Sequence, residues 1–104
     1  MPPNIDALHK IIRNQNYLLT DHASKRGVER AITSAEIEQV VLGGEVIEDY
    51  PDDKYSPSCL ILGTTASGRI LHVQLSYPPN VKIITLYEPS PDEWSNDWKT
   101  RKES

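Results

Sequence analysis

Apolar residues follow helical spacing in the first part of the chain. Four of them recur three or four positions apart near the N-terminus: Ile5, Leu8, Ile11 and Ile12. They predict an amphipathic helix over residues 4–14. A second helix is predicted over about 21–30, because Thr20 or Asp21 can accept a hydrogen bond from a free amide of its first turn.

A third helix is predicted by a capping signal followed by apolar residues on one face. Thr33 and Glu36 have the spacing of a capping box, in which each side chain bonds the backbone N–H of the other residue. The apolar residues that follow are Ile37, Val40 and Val41. The helix is predicted to end at Gly43-Gly44, because a positive φ costs glycine little.

Beyond Gly44 the pattern is typical of strands. Four strands are predicted between glycine- and proline-containing turns, over residues 45–50, 58–65, 69–77 and 81–88. Residues 17–19 form a short extended piece, and Ser90 can cap a short C-terminal helix that carries Trp94 and Trp98. This order predicts an α+β fold. N-terminal helices pack on one face of a curved antiparallel sheet of about four strands and leave the other face partly open.

Length and composition favour one cytoplasmic domain over residues 1–104, with residues 1–3 and 99–104 flexible. The 104 residues are 38% hydrophobic, which suffices for one core, and are too few for two domains. No apolar run approaches the roughly 18 residues that a membrane span needs. The N-terminus lacks the pattern of a signal peptide. The single cysteine, Cys59, excludes an internal disulfide and a cysteine-based zinc site.

The net charge of −4 is unevenly distributed along the chain. Residues 31–53 carry seven acidic side chains and no basic one: Glu36, Glu38, Glu45, Glu48, Asp49, Asp52 and Asp53. An acidic protein binds nucleic acid poorly without specific contacts, because phosphate affinity depends on the cations brought to the backbone. We interpret this acidic segment either as a docking face for a basic partner or as a solvated helix face followed by a loop.

One stripe of the second predicted helix carries groups suited to phosphate chemistry. His22, Arg26 and Arg30 are spaced four residues apart and therefore share a face. His22 lies in the first turn, where the helix dipole favours the neutral ring. A neutral histidine beside fixed cations is suited to taking a proton next to a phosphate. In the alternative interpretation, His22 bonds a loop carbonyl and both arginines pair with acidic residues.

The open face of the predicted sheet supplies a second group. Alternation buries five apolar residues under the helices: Leu71, Val73, Leu75, Ile84 and Leu86. It brings four polar residues together on the open face: His72, Gln74, Thr85 and Tyr87. With Arg69 as a phosphate clamp at the start of its strand, such a group can cleave a phosphodiester without a metal. Alternatively, the C-terminal helix covers this face and Arg69 pairs with Glu36 or Glu48.

Several motifs together resemble a bacterial family, the domain-of-unknown-function family 4258. They include Tyr17-x-Leu19-Thr20-x-His22-Ala23, Tyr50-Pro51-Asp52-Asp53-Lys54-Tyr55, Gly68-Arg69-x-Leu71-His72-Val73 and Ile84-Thr85-x-Tyr87-Glu88-Pro89. The resemblance covers about residues 17–98. It implies a fold like that of the RelE, colicin and barnase-like small nucleases, which are often toxins that cleave RNA without a metal. Ala31 stands where this family usually has glycine, which costs strain if the position needs a positive φ.

The first hypothesis is a metal-independent endoribonuclease, the toxin of a toxin–antitoxin pair, that acts through the ribose 2′-OH and needs no cofactor. Its candidate catalytic residues are His22, His72, Tyr87 and Arg69. Its candidate substrate-binding residues are Arg26, Arg30, Lys54, Tyr55, Gln74 and Thr85. The expected partners are RNA and, by resemblance, a small zinc-finger antitoxin, without membrane contact. The alternative is a catalytically inactive module of the same fold that binds a protein through residues 36–53 or the open sheet face.

Overall fold

The computed structural model describes residues 4–54 and 56–102 and has an α+β fold. Its helices are α1 (Ile5–Arg13), α2 (Asp21–Arg30) and α3 (Ser34–Gly43). Its strands are β1 (Leu18–Leu19), β2 (Glu45–Tyr50), β3 (Ser58–Thr64), β4 (Ile70–Ser76) and β5 (Lys82–Tyr87). The three predicted helices and the four longer predicted strands are therefore confirmed. The predictions for residues 1–3, Tyr55 and 103–104 fall outside the described residues.

α2 and α3 begin at the side chains that the sequence indicates. At α2, Thr20 Oγ1 accepts a hydrogen bond from the Ala23 amide at 3.1 Å. At α3, Thr33 Oγ1 accepts from the Glu36 amide at 3.2 Å, and Glu36 Oε1 accepts from the Thr33 amide at 3.0 Å. The predicted capping box is therefore complete. These bonds satisfy amides that have no carbonyl partner within the helix.

The sheet has five strands in the order β1-β5-β4-β3-β2 and is mixed. β2, β3, β4 and β5 pair antiparallel in succession, whereas β1 runs parallel to β5. The prediction of an antiparallel sheet of about four strands therefore needs a correction: the sheet has a fifth, short strand at its edge, and this strand is parallel to β5. Leu18 N donates to Val81 O at 3.2 Å, and Thr20 N donates to Ile83 O at 3.0 Å. Because of these long-range backbone bonds, residues 18–19, which were predicted to be a short extended piece, form a strand of the sheet.

A β-bulge in β5 changes which residue faces the core. Val73 pairs with Leu86 and Leu75 pairs with Ile83, so that Ile84 is an extra residue on β5. Ile83 is consequently buried, whereas Ile84 is partly exposed. The prediction that Ile84 shares the core face with Leu86 is wrong, because strict alternation does not hold across an inserted residue.

The core lies between the helices and the inner face of the sheet. α3 packs on β3 and β4, α1 packs on α3, and α2 packs on β5. The buried cluster includes Leu8, Ile12, Ile37, Val40, Ile61, Leu71, Val73, Leu75, Ile83 and Leu86. Gly63 permits the close approach of α3, since a Cβ at this position would lie 2.6 Å from the Val40 carbonyl oxygen. Within the described ranges, none of the helices is long and apolar enough to cross a membrane.

Residues 89–102, the C-terminal segment, lie against the outer face of the sheet, opposite the core, and form turns instead of a helix. Trp94 and Arg101 form an isolated antiparallel bridge, and Trp98 has a φ of 63°. The Asp97 carboxylate accepts from two backbone amides downstream, at 2.9 and 3.3 Å. The predicted C-terminal helix through Trp94 and Trp98 is wrong, because side-chain bonds of this kind compete with helical hydrogen bonds.

Candidate functional site

The C-terminal segment divides the outer face into a covered half and an open half. In the register of β4 and β5, His72 lies opposite Tyr87, and Gln74 lies opposite Thr85. Trp94 covers His72, with ring centroids 4.4 Å apart, and the exposed fraction of His72 is 0%. Gln74 and Thr85 are partly exposed. The four polar residues that were predicted to act together are therefore split between two environments.

His72 has both ring nitrogens bonded within the covered half. Nε2 lies 2.8 Å from the carbonyl oxygen of Trp98, which can only accept, so this nitrogen carries the hydrogen. Nδ1 of the neutral ring then accepts from the Tyr87 hydroxyl at 3.2 Å. Burial lowers the pKa of His72, although the Trp98 carbonyl and the Glu48 carboxylate favour the charged ring. The contacts support a structural role for His72, and its catalytic role stays a prediction.

Two ion pairs hold the C-terminal segment against β2. Arg101 Nε and Nη2 lie 3.0 and 3.1 Å from the two carboxylate oxygens of Glu48. The same guanidinium lies over the Trp94 ring, 4.6 Å from its centroid. Lys99 Nζ lies 2.8 Å from Glu45 Oε1. Lys99 and Arg101 thus contact the sheet and help to keep this half of the outer face covered.

Arg69 is bonded to the end of α2 and to two carboxylates. Nη1 and Nη2 donate to the carbonyl oxygens of Ala31 and Arg30, at 2.8 and 3.0 Å. They also lie 3.3 Å from Glu36 and 3.1 Å from Glu88. The bond to Glu88 and the charge of both carboxylates raise the pKa of Arg69. The alternative pairing of Arg69 with Glu36 is present, and its role as a phosphate clamp stays a prediction.

His22 is the histidine that contacts the open half. Its Nε2 lies 3.1 Å from Thr85 Oγ1, and the side chain is exposed. Thr20 Oγ1, which caps α2, also donates to the carbonyl oxygen of Ile84 at 3.0 Å. This contact fixes the first turn of α2 against the bulge of β5. The fold therefore brings two separately predicted residues, His22 and Thr85, into hydrogen-bond distance.

The predicted phosphate-binding arginines differ in their position relative to His22. Arg26 lies one turn along α2, and it lines a cleft of about 180 Å³ together with His22, Lys25 and Glu29. Its ion pair with Glu29 is long, at 4.0 Å, and exposed, so it is weak. Arg30 lies roughly 12 Å from His22 along the helix axis, at 1.5 Å per residue. Arg26 is therefore the better placed of the two to bind a phosphate beside His22.

A second and larger cleft, of about 750 Å³, opens on the outer face. It is lined by Thr20, Asp53, Ser56, Gln74, Ser76, Asn80, Lys82 and Ile84. Sequence reasoning identified Gln74 but missed Asp53 and Lys82 as members of this site. Asp53 and Lys54 both lie in the connection between β2 and β3, and Lys54 is exposed. Tyr55, the other predicted binding residue in this connection, lies outside the described residues.

A sequence signal for the missed Asp53 exists in β3. Alternation places Ser58 on the same face as Gln74 and Ser76, and Ser58 pairs directly with Ser76. Ser58 Oγ donates to Asp53 Oδ2 at 2.8 Å. A serine that alternates onto the polar outer face at the start of a strand, after an acidic turn, therefore indicates this contact. For Lys82 we find no comparable signal, since its place in the cleft depends on the bulge in β5.

The acidic segment is largely bonded within the fold. Six of its seven carboxylates contact a side chain of the described residues. The pairs are Glu36 with Arg69, Glu38 with Tyr17, Glu45 with Lys99, Glu48 with Arg101, Asp49 with Tyr77 and Asp53 with Ser58. Burial and the bond to Glu38 raise the pKa of Tyr17 to about 12. Most of these carboxylates are therefore engaged by side chains of the fold and do not form a free acidic docking face.

Comparison with known proteins identifies the family. A family model described as Domain of unknown function (DUF4258) matches residues 19–88. The chain belongs to this family. The DUF4258 match includes β2 to β5 and the His22–Thr85 pair, and the C-terminal segment follows it. No curated protein and no solved structure matches the chain.

Proposed function

We propose that this protein is a metal-independent endoribonuclease that cleaves RNA through the ribose 2′-OH at the open half of the outer face. The observation that carries the proposal is the exposed His22 ring, which contacts Thr85 and lies beside Arg26 and Lys25. The order of helices before antiparallel strands supports the RelE, colicin and barnase-like grouping. The assignment to ribonucleases rests on this resemblance of fold and on the chemistry of the site.

His22 is the general base in this proposal. The ring takes the proton of the 2′-OH, and the 2′-oxygen attacks the adjacent phosphorus. The bond from phosphorus to the 5′-oxygen breaks on the opposite side of the phosphorus, that oxygen takes a proton from water, and the imidazolium releases its proton to the solvent. The products are a 2′,3′-cyclic phosphate and a 5′-hydroxyl end. Arg26 and Lys25 stabilise the negative charge on the phosphoryl oxygens during attack.

His22 is preferred to His72 because of its accessibility. A substrate can reach the exposed ring of His22, whereas His72 is buried and both of its nitrogens are bonded. Tyr87, whose hydroxyl bonds His72, lies in the same covered half. For His72 to act on RNA, the C-terminal segment would first have to leave the sheet.

We further propose that the enzyme is the toxin of a bacterial toxin–antitoxin pair and acts in the cytoplasm. The support is the resemblance to families whose small nucleases are held inactive by a partner. A small zinc-finger antitoxin is the expected partner. It would inhibit the toxin by covering the exposed His22 and the cleft of the open half.

The test is cleavage of single-stranded RNA by the purified protein in the presence of a chelator. We expect cyclic phosphate ends, and a rate that falls by about 100-fold or more in His22→Gln, which is the usual range for loss of a general base. His9→Gln, on α1, is the matched control and should cleave at the wild-type rate. Intact RNA with the wild-type protein would overturn the proposal and favour the partner-binding module.

A further inference from the structure

The amide of Gln74 has a defined orientation at the larger cleft. Gln74 Nε2 lies 3.1 Å from Ser58 Oγ, and Ser58 Oγ lies 2.8 Å from Asp53 Oδ2. A carboxylate can only accept, so the single hydroxyl proton of Ser58 points to Asp53. Ser58 Oγ must then accept from Gln74, and the amino group, not the oxygen, of the Gln74 amide faces Ser58. Asp53 therefore determines the orientation of Gln74 through Ser58.

This orientation leaves hydrogen-bonding capacity on Gln74 unused. Its Oε1 and its second N–H have no hydrogen-bond partner among residues 4–54 and 56–102. The side chain is partly exposed and lines the cleft of about 750 Å³. That volume is within the range of roughly 300–1,000 Å³ that is usual for small-molecule sites. Gln74 thus offers an acceptor and a donor of one planar amide to a ligand in the cleft.

Gln74 lies at the cleft and also close to His22, the residue that is proposed to take the proton. Gln74 and Thr85 are direct cross-strand neighbours, and Thr85 contacts His22. Facing side chains of this kind have Cβ atoms roughly 4.5–5.5 Å apart. Lys82 supplies a cation to the same cleft, and Ile84 of the bulge supplies an apolar surface. The cleft therefore combines an amide, a cation and an apolar contact next to the proton-transfer group.

We propose that the cleft binds a nucleobase and that Gln74 recognises the edge on which that base carries a donor beside an acceptor. This proposal rests on the proposed ribonuclease function, since it assigns the cleft to a nucleotide of the RNA substrate. A glutamine amide pairs with adenine in this way, through the N6 amino group and N7. Ile84 provides a surface for the face of the base, and Lys82 provides a charge for its phosphate. Ser58 is a positioning residue, because it acts through Gln74.

The experiment compares two ligands that share a sugar phosphate, of which one carries a base and the other has none. Calorimetry measures the Kd of the full-length protein for adenosine 5′-monophosphate and for ribose 5-phosphate. We expect the nucleotide to bind at least about tenfold more tightly, as one amide–base pair usually provides. Gln74→Met, which keeps the volume but removes both polar groups, should lower the ratio of the two Kd values by about tenfold and leave only the preference that the contact with Ile84 provides. Ser58→Ala should reduce their ratio and leave the Kd of ribose 5-phosphate unchanged.

Gln39→Met is the matched control, since Gln39 bonds the Ala66 amide and does not line the cleft. Its ratio of Kd values should equal that of the wild type. Equal Kd values for the two ligands with the wild-type protein, or an unchanged ratio in Gln74→Met, would overturn the inference. Because the measurement is one of binding, its result does not depend on cleavage. A protein that leaves RNA intact but binds nucleotides through Gln74 would refute the proposed reaction and retain the base site.

Discussion

Ala31 ends α2 in the left-handed region, with φ 54° and ψ 47°. A side chain in this conformation costs roughly 1–2 kcal/mol, which glycine avoids. Part of this gain, roughly 0.5–1 kcal/mol, is lost because a glycine at this position makes the unfolded protein more flexible. The methyl group of Ala31 is exposed, and the backbone bonds of the residue to Val28 and Arg69 survive the change. We therefore expect Ala31→Gly to increase the free energy of unfolding by about 1 kcal/mol.

Urea unfolding followed by circular dichroism measures this difference. In thermal unfolding, about 1 kcal/mol corresponds to a Tm increase of roughly 4–8 °C for a domain of this size. Ala35→Gly is the matched control, because Ala35 is also exposed but lies within α3. The same chemical change should there lower the stability, by up to about 1 kcal/mol. If both variants lose stability, Ala31 does not occupy the left-handed conformation and the reasoning is refuted.

Two further predictions concern the covered half of the outer face. Trp94→Ala should lower the free energy of unfolding by about 3–5 kcal/mol, since the ring is only 2% exposed and packs on His72. A loss below about 1 kcal/mol in urea unfolding would show that the C-terminal segment does not pack as described. The lowered pKa of His72 also predicts a pH effect. As the pH falls from about 7 to about 5, the unfolded chain takes up a proton at this residue before the folded protein does, so stability falls. His72→Gln should flatten this slope, and an equally steep slope in that variant would contradict the prediction.

The sequence was sufficient to identify several residues of the candidate site, but it did not show which of them contact one another. His22 and Thr85 could each be identified, one from a helical stripe and the other from strand alternation. Their contact joins residues 63 positions apart, and no local pattern encodes it. His72 met the same criteria as Gln74, because both alternate onto the outer face. The difference between them is the covering of His72 by Trp94, which depends on the path of the C-terminal segment.

The pairing of Arg69 shows a similar limit. The sequence allows an exposed guanidinium to bind either a phosphate or a nearby carboxylate, since both accept two hydrogen bonds. The structure brings the end of α2, Glu36 and Glu88 to the same guanidinium. These partners come from three separate parts of the chain. Only their common location in the fold favours the structural role.

Local patterns were sufficient to predict the three helices, the four longer strands and the capping box at Thr33, because each depends on residues only a few positions apart. The features that join distant residues could be seen only in the folded chain. They are the parallel pairing of β1, the extra residue Ile84 in β5 and the contact of the C-terminal segment with His72. The free energy of these contacts comes from burial and from hydrogen bonds between separate elements. The periodicity of apolar residues predicts which residues are buried, but it does not identify the distant element on which each of them packs.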